Sequence, residues 1–402
     1  TTARQRCGNT RRGRQRCAAA TRWRRGGDAA RAALLGCNKR CAPRVGALRL
    51  SRPQMRALLA TAALVAAADA ACVATVTVEI LGGAPRQLAF DDESSVVGRA
   101  LVHLLDLWDG LPDGQVVGAD CAPGDALCAA YALARNGREA LNAACGSRDD
   151  DAGPLDLLQV GAHVGDGPGD PVYAWLRHAA GPWVRAVLVE PMRGSFERLV
   201  ANYVGARAQV SYVHAAVVGA GRRGRRSFYE PRRCDNQYWD AEDGPGATCV
   251  TGFETSTLVA SRNRTWVYHA SKWLVDPPPI ARRDIAGVDW VSLLETHGVS
   301  ALGLLLVDAE TMDCDLVASF PFDVARPDAI VFEQGGCEHY VSDDDAPTAS
   351  ELARRLGESD PRIALDRYLR EELGYVLVPG FIGHASYDAC YVRLPPGRTP
   401  TQ

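Results

Sequence analysis

Gly161-Ala162-His163-Val164-Gly165-Asp166-Gly167 breaks the apolar run Leu155–Val160, and the next apolar run, Ala186–Val189, ends on Glu190-Pro191. Glycines at such a turn let backbone N–H groups approach a ligand closely, and the helix start that follows favours negative charge. An acid at the end of the second strand can accept both hydrogen bonds of a ribose diol, which is the role expected of Glu190. Two further acid groups close later apolar runs: Asp308 with Glu310 after Leu302–Val307, and Glu333 with His339 after Ala329–Phe332. A carboxylate within reach of a hydroxyl can take its proton, and Asp308 and Glu310 are the first candidates for that work. Paired acids there could also hold a metal ion, but two residues do not define a site, so none is expected.

The glycine spacing selects among nucleotides. A dinucleotide turn needs G-x-G-x-x-G to seat a pyrophosphate on the helix N-terminus, whereas this turn reads Gly161-x-x-x-Gly165-x-Gly167. That spacing argues against a nicotinamide-dependent oxidoreductase. A donor of the S-adenosylmethionine type carries no phosphate and needs only an open turn against its methionine end. The plain alternative is that the three glycines merely shape a strand-to-helix loop. His163 is expected to bond the turn backbone, and Asp166 either to contact the donor or to cap the turn.

The elements that must hold these residues follow from pattern. Asp170 is a natural N-cap with Pro171 at the first helical position, and that helix should end by Gly181-Pro182. Phe196, Leu199 and Val200 have helical spacing, Gln209–Val217 reads as a third strand, and Val288–His297 as a helix. Leu302–Asp308 and Ala329–Glu333 read as buried parallel strands. Gly374–Val378 and Asp388–Val392 suit a terminal strand pair. Alternating strands and helices predict a parallel sheet covered on both faces, with ligands outside the carboxyl ends of the strands. There Gly161, Glu190, Ala215 and Asp308 would converge. A long polar and aromatic segment with Trp239, Trp266 and Trp273 precedes Asp289 and is expected to act in acceptor recognition.

Several blocks, in order, resemble the FkbM family of S-adenosylmethionine-dependent methyltransferases. They are Gln159-Val160-Gly161-Ala162-His163-Val164-Gly165-Asp166 with Asp170-Pro171; Trp183 to Val187-Leu188-Val189-Glu190-Pro191 with Phe196, Leu199 and Asn202-Tyr203; and Val213-His214-Ala215-Ala216-Val217. Thr255-Ser256-Thr257-Leu258, Leu305-Leu306-Val307-Asp308-Ala309-Glu310 and Pro327 to Glu333 complete the set. The resemblance covers roughly residues 155–335 and implies an α/β fold with a Rossmann-like methyltransferase sheet. That sheet is mostly parallel with a terminal antiparallel strand pair, and a small N-terminal α+β unit is added to it. It implies S-adenosylmethionine as cofactor, bound by Gln159, Gly161, Ala162, His163, Gly165, Asp166, Glu190, Pro191, Ala215 and Ala216, the two alanines flanking the adenine. It further implies O-methylation of a hydroxyl on a carbohydrate or other small acceptor. Gln159 stands where many methyltransferases carry an acid, and Thr311 where the family usually has glycine. These departures suit the second reading, a non-catalytic descendant that keeps the fold for binding.

Charge and cysteines bound the rest. Residues 1–54 hold 15 Lys and Arg against one acid, so with a chain net charge of −3 the remainder carries −17. Nucleic-acid binding needs clustered cations, so an acidic body argues against that partner. Residues 1–54 are arginine-rich and aperiodic in a chain with just two lysines, Lys39 and Lys272, and are expected to lie upstream of the natural start at Met55. Residues 55–74 read as a secretory signal, with Ala57–Ala68 too short to span a bilayer and cleavage after Ala70 or Ala74. Secretory localisation, lumenal or secreted, follows as an expectation, with no stable membrane span. Cleavage after Ala74 leaves eight cysteines, an even number suited to disulfides, with Cys234–Cys249 the expected pair. Residues 75–150 are expected as a separate small accessory unit, with Ser94 or Ser95 capping its first helix, and residues 151–402 as the methyltransferase-like domain.

Overall fold

The computed structural model describes residues 62–65, 73–78, 86–91, 94–108, 126–145, 154–166, 170, 172–219, 224–231, 260–271, 280–334, 337, 348–378 and 388–393. Its centre is a seven-stranded sheet, in the order β12-β13-β11-β10-β4-β5-β6. The strands are β4 (Leu155–Val160), β5 (Arg185–Val189), β6 (Gln209–Val213), β10 (Leu302–Val307), β11 (Pro327–Glu333), β12 (Tyr375–Leu377) and β13 (Asp388–Arg393). All run parallel except β13, which pairs antiparallel with both β11 and β12. The chain winds outward from β4 through β5 to β6, then returns to β10 on the other side of β4. A switch point therefore lies between β4 and β10, where two connections leave in opposite directions and open a crevice.

Strands buried on both faces need apolar side chains in both directions, and β4 and β10 are buried at every position. One face packs against α1 (Val96–Trp108), α2 (Ala126–Cys145), the π-helical turn Trp175–Ala179 and α3 (Arg193–Asn202). The other packs against α5 (Trp290–Thr296), α6 (Asp313–Ala318), α7 (Thr348–Leu356) and α8 (Pro361–Arg367). Asp170 caps the turn before Trp175, its Oδ1 accepting from the N–H groups of Val172 and Tyr173 at 2.8 and 2.9 Å. The segment then winds as a π-helix rather than an α-helix, with Ala180 N–H bonded to Trp175 O five residues back.

Three expectations need correction. The third strand does not run through to Val217: β6 ends at Val213, and β7 (Ala216–Val218) leaves the main sheet to pair with β9 (Ile280–Asp289). Together with β8 (Gly224–Pro231) these form a separate sheet, β7-β9-β8, which carries α4 (Arg264–Ser271). Val288 is the end of β9 rather than the start of a helix, and α5 begins at Trp290 with Asp289 as its cap, accepting from Ser292 N–H at 2.9 Å. The stretch from 75 to 150 is not a separate unit. β1 (Ala62–Val65), β2 (Val73–Val78) and β3 (Arg86–Asp91) form a small antiparallel sheet, but α1 and α2 join the same core as β4, β10 and β11. Ser95 is the residue that caps α1, accepting from Gly98 N–H and donating to the buried Asp156 of β4. The described residues all fall in one compact unit instead.

The apolar stretch expected as a secretory signal contributes β1, and Ala74 is buried within β2. Cleavage after Ala74 would cut that strand, whereas cleavage after Ala70 leaves it whole and keeps Cys72. The pair Cys234–Cys249 lies outside the described residues. The disulfide that is described joins Cys314 to Cys337, with Cα atoms 5.5 Å apart, while Cys390 is free and buried in β13.

Candidate functional site

Register brings the chemistry to one level. Val160 pairs with Val189 on one side and Val307 on the other, Val189 pairs with Val213, and Val307 with Phe332. The next residue along each strand is therefore Gly161, Glu190, Asp308, His214 or Glu333, all at one carboxyl edge. Backbone bonds hold that row: Gly161 and Ala162 N–H to Val189 O, Glu190 N–H to Val213 O, and Asp308 N–H to Val160 O, all within 2.9–3.0 Å. Gly161 has φ +81°, and a Cβ there would collide with the carbonyl oxygen of Asp308. Glycine is needed at that position because the turn passes directly over the start of the next loop.

Above this edge lies a cavity of about 710 Å³, counting the space open at its mouth. Of the residues expected at the site, Gly161, His163, Glu190, Pro191, Ala215, Ala216, Asp308 and Glu310 line it. Gln159, Ala162, Gly165 and Asp166 do not. Gln159 is buried within β4, its Nε2 directed to Asp170 Oδ2 at 3.4 Å. Ala162 is buried in the core, Gly165 packs against Tyr203, and Asp166 is exposed. Of the other candidate pair, Glu333 is half-buried outside the cavity lining, and His339 lies outside the described residues.

Glu190 is 4% exposed and has both carboxyl oxygens engaged: Oε2 accepts from His163 N–H at 2.9 Å, and Oε1 from Met192 N–H at 2.7 Å. Burial outweighs these two bonds and lifts its pKa to about 8, with Asp308 and Glu230 adding like charge. The His163 bond seen here is not the expected one to the turn backbone: its own N–H donates to Glu190, with His163 in the left-handed region at φ +48°. Glu310 is also pushed well above the usual carboxylate range, first by burial and then by Asp308, Glu333 and Asp313. Asp308 is exposed at the rim. Asp313 is fully buried at the start of α6, and its Oδ1 accepts from Ala309 N–H at 3.0 Å, which fixes the loop after β10.

Sequence reasoning missed the opposite wall. Phe228 of β8 and Ala260 join Met192 and Ala216 in a small apolar cluster, and Phe228, Ala260 and Arg262 line the cavity along with Met312 and Leu316. Arg225 and Arg226 belong to β8, on the same strand as Phe228. The sequence Gly224–Pro231 has no apolar/polar alternation, so beyond the adjacent aromatics Phe228 and Tyr229 it offered no strand signal. Among the described residues, no group of three or more His, Cys, Asp or Glu is placed to hold a metal ion, and no helix is long and apolar enough to cross a membrane.

No family model matches the chain, and no curated protein matches its sequence. A solved structure of an O-methyltransferase from Bacillus cereus, in complex with SAH, is similar over 75% of this chain and 91% of that chain, at 11% identity and a TM-score of 0.25. The functional reading therefore rests on the site's own residues.

Proposed function

We propose that the protein is an S-adenosylmethionine-dependent methyltransferase of the FkbM type that methylates a hydroxyl of a carbohydrate or other small acceptor. One observation carries the reading: register at the switch point sets the glycine turn, the buried Glu190 and the acids Asp308 and Glu310 around one cavity. The residues fit the donor. Ionised Glu190 has about four acceptor positions; two take backbone N–H groups and two remain for a ribose diol. Ala215, Ala216, Met192 and Phe228 offer an apolar slot for a flat ring, and Gly161 keeps the turn open. When bound, S-adenosylmethionine supplies an electrophilic methyl group on a sulfonium.

The chain's own work is then alignment, exclusion of water and removal of a proton. Glu310 is the favoured base, because it stands at the cavity wall and, once ionised, a carboxyl with a raised pKa is the stronger proton acceptor, and Asp308 at the rim orients the acceptor. The acidic body outside residues 1–54 speaks against nucleic acid as acceptor. A secretory lumenal or secreted location is part of the proposal, supported by the Cys314–Cys337 disulfide.

A second reading, a non-catalytic binding protein on the same fold, is favoured by Gln159, which brings an amide directed at Asp170 where a donor-binding acid would serve. Calorimetric titration of the chain from residue 55 with S-adenosylmethionine, S-adenosylhomocysteine and NAD tests both. The expected result is micromolar binding of the first two and none of NAD, weakened by about 1–3 kcal/mol in Glu190→Ala through lost charge-assisted hydrogen bonds. No binding of any of them overturns the methyltransferase reading. Binding without turnover across an acceptor panel favours the second.

A further inference from the structure

Two walls of the cavity meet at one buried hydroxyl. Ser261 is fully buried, and its backbone pairs with Tyr229 of β8 in both directions, at 2.8 and 3.0 Å, so it belongs to the inserted sheet. Its Oγ donates to the carbonyl oxygen of Glu310 at 2.8 Å, lies 2.9 Å from Thr311 Oγ1, and accepts from Asn263 N–H at 3.1 Å. Since that hydroxyl has one proton, given to Glu310 O, the Thr311 hydroxyl is the donor between the two. The chain neighbours Ala260 and Arg262 line the cavity, as Glu310 does from the other wall.

The turn held in this way is strained. Glu310 and Thr311 are consecutive L-residues in the left-handed region, at φ +47° and +79°. Such a conformation is unfavourable for an L-residue, and is rarest for a β-branched side chain. It persists only where surrounding structure over-determines it. Here Asp313 holds Ala309 from one side and Ser261 holds Glu310 and Thr311 from the other.

We propose that Ser261, with Thr311, is a positioning residue: the hydroxyl pair locks the Glu310 backbone in its left-handed turn and so keeps the Glu310 carboxyl at the cavity wall, tied to the inserted sheet. Its catalytic meaning rests on the methyl-transfer reading, but the geometry does not. Around Glu310 stand Asp308, Asp313 and Glu333, with Arg262 on the facing wall.

The test follows the protonated Glu310 carboxyl by infrared spectroscopy across pH, in the full chain without ligand, using the band lost in Glu310→Gln as the assignment. Ser261→Ala is expected to move the band's titration midpoint down by about one pH unit or more, as the carboxyl turns to water. Ser261→Thr is expected to restore the native profile. Thr311→Val keeps the β-branch but removes the hydroxyl, and is expected to move the midpoint in the same direction by less; it serves as the readout should Ser261→Ala not fold. An unchanged midpoint in Thr311→Val, or in a folded Ser261→Ala with a lowered melting temperature, overturns the proposal and leaves Ser261 a structural residue only. Donor titration of the same proteins reports separately on the methyl-transfer reading.

Discussion

Glu190 is the residue whose chemistry is most sharply set by its surroundings. With a pKa raised to about 8, the Glu190 carboxyl is neutral near pH 7. Accepting two ribose hydroxyls while keeping both backbone bonds needs the ionised form, so donor binding expels a proton below pH 8. Affinity for S-adenosylhomocysteine is therefore expected to tighten by up to about tenfold per pH unit from pH 6 towards 8, then level off. Calorimetry at four pH values checks this, and a flat profile would remove the diol from Glu190. For stability the sign is opposite. The unfolded carboxyl ionises near its ordinary 4.5 while the folded one stays protonated to about 8, so this group's contribution falls as pH rises between those values. At Gly161 the constraint is steric. Gly161→Ala puts a Cβ onto Asp308 O at a positive φ, and is expected to cost several kcal/mol through strain and displacement of the turn, read as a lowered melting temperature and lost donor binding.

Among the elements, the loop from β10 into α6 carries the greatest share of the site. It supplies Asp308, Ala309, Glu310 and Met312 to the cavity, and its far end is anchored by Cys314 bonded to Cys337 beyond β11. A crosslink closing 23 residues restricts the unfolded chain by about 3 kcal/mol in the loop-entropy estimate. The double change Cys314→Ala with Cys337→Ala, or treatment with reductant, is expected to lower the thermal midpoint accordingly. Both cysteines are buried, so reduction has to be carried out on the unfolded chain, and an unaltered melt of the double variant would mean that the bond adds no stability. The glycine turn was legible from residue types alone, because its glycines break one apolar run and the next apolar run ends on an acid. The left-handed backbone at Glu310 and Thr311 was not, since it opposes local preference and exists only where Ser261 and Asp313 reach in from elsewhere.

At the scale of the whole molecule, the N-terminal part of the chain is a layer of the main domain. Gly98 of α1 lies against β10 so closely that a Cβ would stand 2.8 Å from Gly303 Cα and 2.8 Å from Asp328 Cβ. Gly98→Ala is expected to cost about 1–3 kcal/mol by forcing helix and sheet apart, measured as a loss of thermal stability with the far-UV spectrum retained. Were α1 part of an independent accessory unit, the same substitution would leave the main melt unmoved. Removing residues before 150 would strip that face of the sheet and expose Leu157, Leu304 and Leu306, so the chain from residue 151 onward is not an independent domain.

What the sequence determined by itself was whatever depends on near neighbours along the chain. Apolar runs, turn glycines and strand-end acids placed β4, β5, β10, β11 and the terminal β12–β13 pair, and picked out Gly161, Glu190, Asp308 and Glu310. Their spacing implied a parallel sheet and a ligand edge, because periodicity and burial are local properties of a strand. What only the tertiary structure decided was which surfaces face the cavity. Gln159 turned to Asp170, β7 left the main sheet, and Phe228, Ala260 and Arg262 arrived from an inserted sheet far along the chain. Most of those outcomes rest on contacts between residues dozens of positions apart, and all draw their free energies from packing and pairing that no local pattern records.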